Sequence, residues 1–402
     1  MNFDFEREDD GFRTEARSWL TEHLADAGAE LAGDRSGLAW ERELGAGGWI
    51  GIGWDRTHGT YGNRTASLTQ QIVWAEEYAR SGAPRRIGHI GENLLAPTLI
   101  AYGDDAQRRR FLPAVARGEE LWCQGYSEPD AGSDLAGVRT VAIRDGVVYR
   151  IRGQKIWTSL AREADWCFVL ARTDPDERRH RGLSFLLVPM DQPGRIDVRP
   201  IRQMSGAADF NEVFFDGAVA AAGHAVGGEG AGWRVAMGLL ALERGVSTLV
   251  QQIGFAAELS EVIAAAVRSG AVQDPLMSAQ LIHHWAELKI MRWNAMRTLG
   301  ASGDAGAPSV AKLLWGGWHQ RLGELAMRVR GATAALGPAD WSPEAPYELD
   351  PLQRLFLFTR ADTIYGGSDE IQRTIIAERV LGLPRASREL PESRALRRAD
   401  RR

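Results

Sequence analysis

Three short stretches carry the residue types that could hold and polarise a ligand. The densest reads Tyr126-Ser-Glu-Pro-Asp-Ala-Gly-Ser-Asp134. Gly132 would let the backbone approach a ligand closely, Ser127 and Ser133 offer hydroxyls, and the turn exposes several N–H donors. Such a segment suits the edge of a flavin ring or a pyrophosphate. It is equally a Ser/Asp/Gly turn between a helix and a strand. The second stretch reads Gly153-Gln-Lys-Ile-Trp-Thr-Ser159. There Trp157 could stack on a planar heterocycle while Thr158 and Ser159 hydrogen-bond it, or Trp157 could be a core residue of a half-buried strand. The third reads Tyr365-Gly-Gly-Ser-Asp-Glu-Ile-Gln372. Ser368 fits an N-cap and Glu370 a first helical turn. Free N–H groups there would favour an anion or a polarised carbonyl. A plain helix cap accounts for the serine and one glycine, but not easily for both glycines.

The elements that must position these stretches fall into three regions. The 402 residues exceed one ordinary core and predict two or three packed domains. Residues 1–120 read as helices. Phe12, Ala16, Trp19, Leu20 and the pair His23/Leu24 recur near helical spacing. Residues 67–79 and 93–102 predict further helices around a glycine-rich, aromatic loop at 45–62. Residues 121–230 change character. Runs at 140–143, 147–151, 167–171, 184–188 and 212–215 are β-prone and separated by breakers such as Asp145-Gly146 and Pro193-Gly194, which predicts an antiparallel β domain. Residues 231–385 return to helical spacing. One long amphipathic helix is expected at 233–267, with others at 276–299, 311–335, 352–365 and 370–381, enough for a bundle. Residues 386–402 are charge-rich and read as a disordered tail. The fold class is therefore α+β, with an N-terminal helical domain, a central antiparallel β domain and a C-terminal four-helix bundle.

Composition narrows the function. Hydrophobic residues make up 44% and charged residues 25% of the chain, ordinary for a globular protein. A net charge of −5 gives no reason to expect nucleic acid. Basic charge comes almost wholly from arginine, since the lysines are Lys155, Lys289 and Lys312 alone. With only Cys123 and Cys167, a disulfide framework is not expected and a reducing cytosol fits. Residues 1–10 are acidic without a signal-peptide core. Apolar stretches fall short of the ~20 residues of a membrane span. A cytoplasmic protein without a membrane or nucleic-acid partner is the expectation. No strand–GxGxxG–helix unit appears, so a nucleotide cofactor would bind without a Rossmann domain. The adjacent His283 and His284 lack metal-site spacing and read as helix surface or core residues.

Taken together, in this order and spacing, the three stretches resemble the acyl-CoA dehydrogenase family. The likeness runs from about residue 10 to residue 385 and includes Gly182-Leu-Ser-Phe-Leu-Leu-Val188 and Leu381-Gly-Leu-Pro384. It implies FAD bound between the β domain and the bundle, and an acyl-CoA thioester losing its α-proton to a carboxylate and its β-hydride to the flavin. It further implies that Tyr126, Ser127, Gly132, Ser133, Trp157, Thr158 and Ser159 contact the flavin, and that Ser368 and Glu370 approach the FAD. Many members carry the base as the Glu of a Tyr-Glu-Gly segment, where this chain has Gly366. The long-chain and isovaleryl branches instead place it on the first long bundle helix in an acidic-Arg pair, matched here by Leu240-Ala-Leu-Glu-Arg244. On that similarity Glu243 is the base. Gly366 keeps the backbone N–H that holds the thioester oxygen in relatives, and Ser133 and Arg244 fall at the CoA thioester end. Without the resemblance, Glu243-Arg244 would read as a charged pair on a helix surface, although neighbours such as Met237, Leu239 and Leu242 are apolar.

The likeness fails at two points. Where relatives carry Arg-Lys-Thr-Phe-Gly, this chain reads Arg268-Ser-Gly-Ala-Val-Gln-Asp274. Where they carry Gln-x-x-Gly-Gly, it reads Arg328-Val-Arg-Gly-Ala332. Both segments make FAD contacts between subunits in the family. Some actinobacterial members with similar losses, including ones acting on steroid side chains, form α2β2 assemblies. The expectation is thus a homo-oligomer, or the base-supplying subunit of an α2β2 pair with a related chain, with an electron-transfer flavoprotein as acceptor. Alternatives on the same fold are a flavin monooxygenase or oxidase, a non-catalytic partner subunit, and a dehydrogenase of carrier-protein-bound acyl groups.

Overall fold

The computed structural model describes residues 7–26, 36–177, 179–242, 247–299, 306–337 and 349–384. Helices come first: α1 (Arg7–Asp26), α2 (Ser36–Ala46), α3 (Leu68–Ser81), α4 (Ala96–Tyr102, continuing a π turn at Gly91–Leu95) and α5 (Asp105–Ala116). Caps set their limits. Ser67 and Gln70 form a capping box at the start of α3, which ends at the left-handed Gly82. Asp104 and Gln107 do the same for α5. The glycine-rich loop expected at 45–62 is not peripheral. Its Trp49, Ile50, Ile52 and Trp54 are buried, and Trp49 stacks on Trp74 of α3 with centroids 4.1 Å apart. Chains cross there without room for a side chain: a Cβ on Gly45 would lie 2.2 Å from the Arg117 backbone carbon.

The strands follow: β1 (Trp122–Gly125), β2 (Val141–Asp145), β3 (Val148–Ser159), β4 (Trp166–Arg172), β5 (Leu183–Pro189), β6 (Ile196–Ile201) and β7 (Phe210–Ala221). They form one sheet in the order β1-β4-β2-β3-β7-β6, with β5 on β4. Most pairings are antiparallel, as expected. The correction is at β4, which runs parallel to β1 and touches β2 in parallel. Parallel pairing needs a long crossover, and the whole β2–β3 hairpin supplies it between β1 and β4. Cys123 and Cys167 are register partners there, and both are free, buried thiols.

Helices return after the sheet: α6 (Gly232–Leu242), α7 (Ser247–Ser269), α8 (Pro275–Leu299), α9 (Ala307–Arg330), α10 (Pro351–Phe358) and α11 (Asp369–Ile375). The helix expected across 233–267 is seen as α6 and α7, with 243–246 outside the described residues. α6 buries Val235, Ala236 and Leu239 against the sheet and the first helices. Gly238 lets it approach α4, because a Cβ there would sit 2.2 Å from the Tyr102 hydroxyl. The bundle core contains Phe255, Leu259, Val262, Leu288, Trp318 and Leu322. Arg292 of α8 is ion-paired with Glu76 of α3 and so ties the bundle to the first helices. The helix expected at 352–365 stops early, giving way to a 3-10 turn at Thr359–Ala361. Among the described residues, no helix is long and apolar enough to cross a membrane. The expected tail, 386–402, lies outside the described residues.

Candidate functional site

The first two stretches meet at the edge of the sheet. After β1 the chain turns back on itself, with Glu128 and Ala131 exchanging both backbone hydrogen bonds at 3.0 Å. This leaves Pro129 and Asp130 at an exposed tip and Gly132 and Ser133 open to solvent. A Cβ on Gly132 would meet no heavy atom within 4 Å, so the surface above it is free for a ligand. The turn is anchored from below by Lys155. Its Nζ is fully buried and donates to Glu128 Oε1 at 2.8 Å, the Tyr126 carbonyl at 3.0 Å and the Leu170 carbonyl at 2.8 Å. Glu128 also accepts from the backbone N–H groups of Arg139 and Thr140. Burial pushes the Lys155 ammonium down from its ordinary range, opposed by Glu128. Burial would raise Glu128, but Lys155 and the Thr140 and Arg139 donors hold it below its usual value. All three ammonium protons find acceptors, the condition under which a buried charge is tolerated.

The second stretch bulges out of β3. Its register against β7 slips between Lys155 and Thr158, and Trp157 sits at φ 62°. A non-glycine residue in that region is uncommon. The bulge turns the indole out of the fold: Trp157 is 56% exposed, resting edge-on against Phe210 at 6.1 Å. Trp157 is therefore not a core residue. Thr158 beside it is fully buried, and its Oγ1 has no hydrogen-bond partner among the described residues. Ser159 is half-buried and pairs with Phe210 of β7. The Ile156 N–H donates to the Ser127 carbonyl at 2.9 Å, so bulge and turn form one surface. Tyr126 is buried beneath it, edge-on to Phe168.

The third stretch is built on the bundle. Ser368 caps α11 by accepting from the Ile371 N–H, and Glu370 stands exposed in the first turn. Gly366 and Gly367 have φ of 64° and 82°, a conformation that explains why both are glycine. Gln372 donates to both of their carbonyls, at 3.0 and 3.2 Å. α9 holds the segment from the other side. Lys312 Nζ donates to the Asp362 carbonyl. His319 Nδ1 lies 2.8 Å from Asp362 Oδ2, and its Nε2 lies 2.7 Å from Glu258 Oε2 of α7. The Tyr365 hydroxyl donates to Asp362 Oδ1 at 2.8 Å. Burial disfavours a charge on His319, yet the hydrogen bonds to Asp362 and Glu258 outweigh it and raise the imidazole to about 9.

Sequence reasoning passed over Lys155, Glu128, Lys312, His319 and Asp362. A usable signal existed, because two of the lysines of this arginine-dominated chain are the buried Lys155 and Lys312. Glu243 and Arg244 lie outside the described residues. Of the adjacent histidines, His283 is at the surface near Glu287 and His284 is buried against the Gln280 carbonyl.

Comparison with known proteins places this architecture. Three family models cover the chain: the acyl-CoA dehydrogenase N-terminal domain over residues 6–119, middle domain over 123–218 and C-terminal domain over 230–381. Acyl-CoA dehydrogenase IpdE1 of Mycobacterium tuberculosis is 51% identical over 94% of this chain and 98% of its own length. A structure described as the Tcur3481-Tcur3483 steroid ACAD aligns with a TM-score of 0.81 at 27% identity, covering 96% of this chain and 100% of that one. The ChsE4-ChsE5 complex from Mycobacterium tuberculosis aligns with a TM-score of 0.79 at 30% identity, covering 96% and 100%.

Proposed function

Because this chain belongs to the acyl-CoA dehydrogenase family of oxidoreductases, we propose that it binds FAD and dehydrogenates an acyl-CoA thioester to the trans-2-enoyl-CoA, with Glu243 as the base. The observation that carries this reading is the exposed indole of Trp157, held out on a left-handed bulge beside the buried, unpartnered hydroxyl of Thr158. A large ring is costly to leave in water, and a buried hydroxyl is costly to leave without a partner. A planar heterocycle with hydrogen-bonding edges would answer both, so these residues fit a flavin. In this reading Trp157, Thr158 and Ser159 meet the ring, while Tyr126, Ser127, Gly132 and Ser133 form the wall along its edge. Ser368 and Glu370 approach the cofactor from the bundle. When bound, FAD accepts the β-hydride.

The protein's own task is the α-proton. A thioester α-proton is too weakly acidic for an ordinary carboxylate, so its carbonyl must be polarised by preorganised donors. Gly366 supplies such a donor: its carbonyl is engaged by Gln372, and its N–H has no protein acceptor among the described residues. Glu243 takes the proton as the general base. Arg244 and Ser133 steady the thioester end.

For the substrate we propose a bulky polycyclic acyl-CoA. The similarity to a structure described as a steroid ACAD supports this, as does the space at Gly366, where a Cβ would meet only Lys312, at 3.7 Å. For the assembly we propose an oligomer, in the form of an α2β2 pair with a related chain. In support, α8 presents Ile282, Trp285, Ile290 and Trp293 to solvent, an apolar stripe of the kind that marks an interface, and a structural neighbour is a complex. An electron-transfer flavoprotein is the proposed acceptor.

The test is anaerobic flavin bleaching by the purified, FAD-loaded protein, alone and co-expressed with a related subunit. Octanoyl-CoA, palmitoyl-CoA and the steroid thioester cholyl-CoA serve as probes, with Glu243→Gln in parallel. Bleaching by wild type, strongest with cholyl-CoA, and its loss in the variant are expected. A flavin that none of the thioesters reduces, but that NAD(P)H with a reductase and oxygen turns over, would replace this reading with a monooxygenase.

A further inference from the structure

Beneath the Gly366 segment lies a chain of hydrogen-bonded polar groups, buried at its centre, with no part in the mechanism above. His319, on α9, is 3% exposed and Asp362 is fully buried. Their contacts run in series: Glu258 to His319, His319 to Asp362, and Asp362 to the Tyr365 hydroxyl, with every heavy-atom distance between 2.7 and 2.8 Å. The ring of His319 is wedged against Phe255, with centroids 4.3 Å apart. Residue 365 immediately precedes Gly366, and its main chain is fixed as well, through the Tyr365 N–H to the Ala361 carbonyl at 3.1 Å. Gln320 of α9 adds a bond to the Thr363 hydroxyl at 3.1 Å. Taking a histidine and the Asp362 carboxylate out of water is expensive, and apolar residues of similar volume would serve stability as well or better. A plain core does not call for this series, whereas fixing the direction of one peptide N–H does. Gln372 holds the two glycine carbonyls, while the peptide that carries the Gly366 N–H is set from the Tyr365 side, and displacing a donor by a fraction of an ångström weakens the charge it stabilises.

We propose that His319, acting through Asp362 and the Tyr365 hydroxyl, is a positioning residue that aims the Gly366 N–H at the thioester oxygen. The inference rests on the dehydrogenase reading above and deepens it. His319 touches neither substrate nor cofactor. Its two ring nitrogens span the two carboxylates, Asp362 is thereby held in one rotamer, and Tyr365 hangs from the oxygen that His319 leaves free. The peptide between Tyr365 and Gly366 follows the ring. Lys312 fixes the far end of the same segment at the Asp362 carbonyl.

Two variants separate this role from a structural one. Tyr365→Phe deletes a single hydroxyl and keeps the ring. His319→Gln keeps two hydrogen-bonding atoms but not their geometry. Each is prepared as the FAD-loaded protein in the assembly that is active for wild type. Each is measured for steady-state kinetics with cholyl-CoA and for exchange of the thioester α-proton with D2O under anaerobic conditions. Exchange reports thioester polarisation without requiring flavin reduction. The expected result for Tyr365→Phe is a kcat and an exchange rate lowered together by roughly tenfold, with KM and FAD content near wild type. Exchange within about twofold of wild type in Tyr365→Phe, or a raised KM at unchanged kcat, would overturn the proposal, and this variant decides alone if His319→Gln fails to fold. Wild type that neither exchanges nor is bleached by any of the three thioesters would instead remove the dehydrogenase reading itself.

Discussion

Replacing Lys155 by Met removes one buried charge and leaves three acceptors behind. Glu128 loses its 2.8 Å partner, and the carbonyls of Tyr126 and Leu170 lose the hydrogen bonds that Nζ gave them. Removing one member of a buried ion pair costs about 3–5 kcal/mol, because the remaining charge stays buried and unpaired. Glu128 keeps the N–H groups of Arg139 and Thr140, which places the expectation near the lower end, about 3 kcal/mol. Each carbonyl that loses a bond adds up to about 1 kcal/mol, so about 4 kcal/mol in total is expected from equilibrium urea unfolding. Neutralising the partner as well should recover part of the loss. In the double variant with Glu128→Gln, the carboxamide still accepts from the two N–H groups without carrying a charge. A coupling of about 2 kcal/mol is expected from the double-mutant cycle. The same turn carries Ser127 and Gly132, so Lys155→Met should also release FAD more readily, followed by flavin fluorescence on dilution. A single variant within about 1 kcal/mol of wild type, or a double variant equal to the sum of the singles, would refute the reasoning.

Trp157→Ala should hardly alter folding, since the ring is 56% exposed, but should weaken FAD binding. Loss of roughly 1 kcal/mol of stacking is about fivefold in Kd, readable by flavin fluorescence titration of the apoprotein. Gly45→Ala would place a Cβ 2.2 Å from the Arg117 backbone. A backbone cannot yield as a side-chain tip can, and a loss of roughly 3 kcal/mol is expected by urea unfolding. His319 gives stability a signed pH dependence. Its folded value of about 9 exceeds the unfolded 6.5, so its stabilisation is complete below pH 6.5 and is lost as pH rises through 9. The full difference is about 3 kcal/mol, and urea midpoints measured across that window should decline for wild type and stay flatter for His319→Gln. On the acid side, Glu77 is held at about 2 by its hydrogen bond to Arg17, against burial, with further help from Arg13 and Arg80. Stability from this carboxylate is present above about pH 4.5 and lost as pH falls through 2, so Glu77→Gln should remove part of the acid-side decline in thermal melts.

Local chemistry made much of this protein legible from its residues. The helix start expected at residue 67 and the cap expected of Ser368 are both seen with their capping bonds, because a cap is a contact between residues three apart. The β-prone runs at 167–171 and 184–188 fall inside β4 and β5, and the family resemblance agrees with three family models along the chain. Two glycines at 366 and 367 already indicated a backbone that a simple cap does not need, and their φ values bear this out.

Other features depend on residues far apart in sequence meeting in space. The parallel run of β1 on β4 pairs Cys123 with Cys167, and no local periodicity encodes the direction of a partner strand. By its residues alone Trp157 reads more readily as a core residue of a strand than as a stacking platform, and the slipped register opposite β7 decided for exposure. Lys155 reaches Glu128 across 27 positions, and His319 reaches Asp362 across 43. A lone lysine or histidine in a helical or strand pattern carries no sign of its partner. What the sequence by itself determined is where helices and strands begin, which loops must turn, and to which family the chain belongs, since these follow from neighbours within a few residues and from motif order. Only the tertiary structure decided which polar groups are buried together, because burial and pairing arise when elements pack and water is excluded between them.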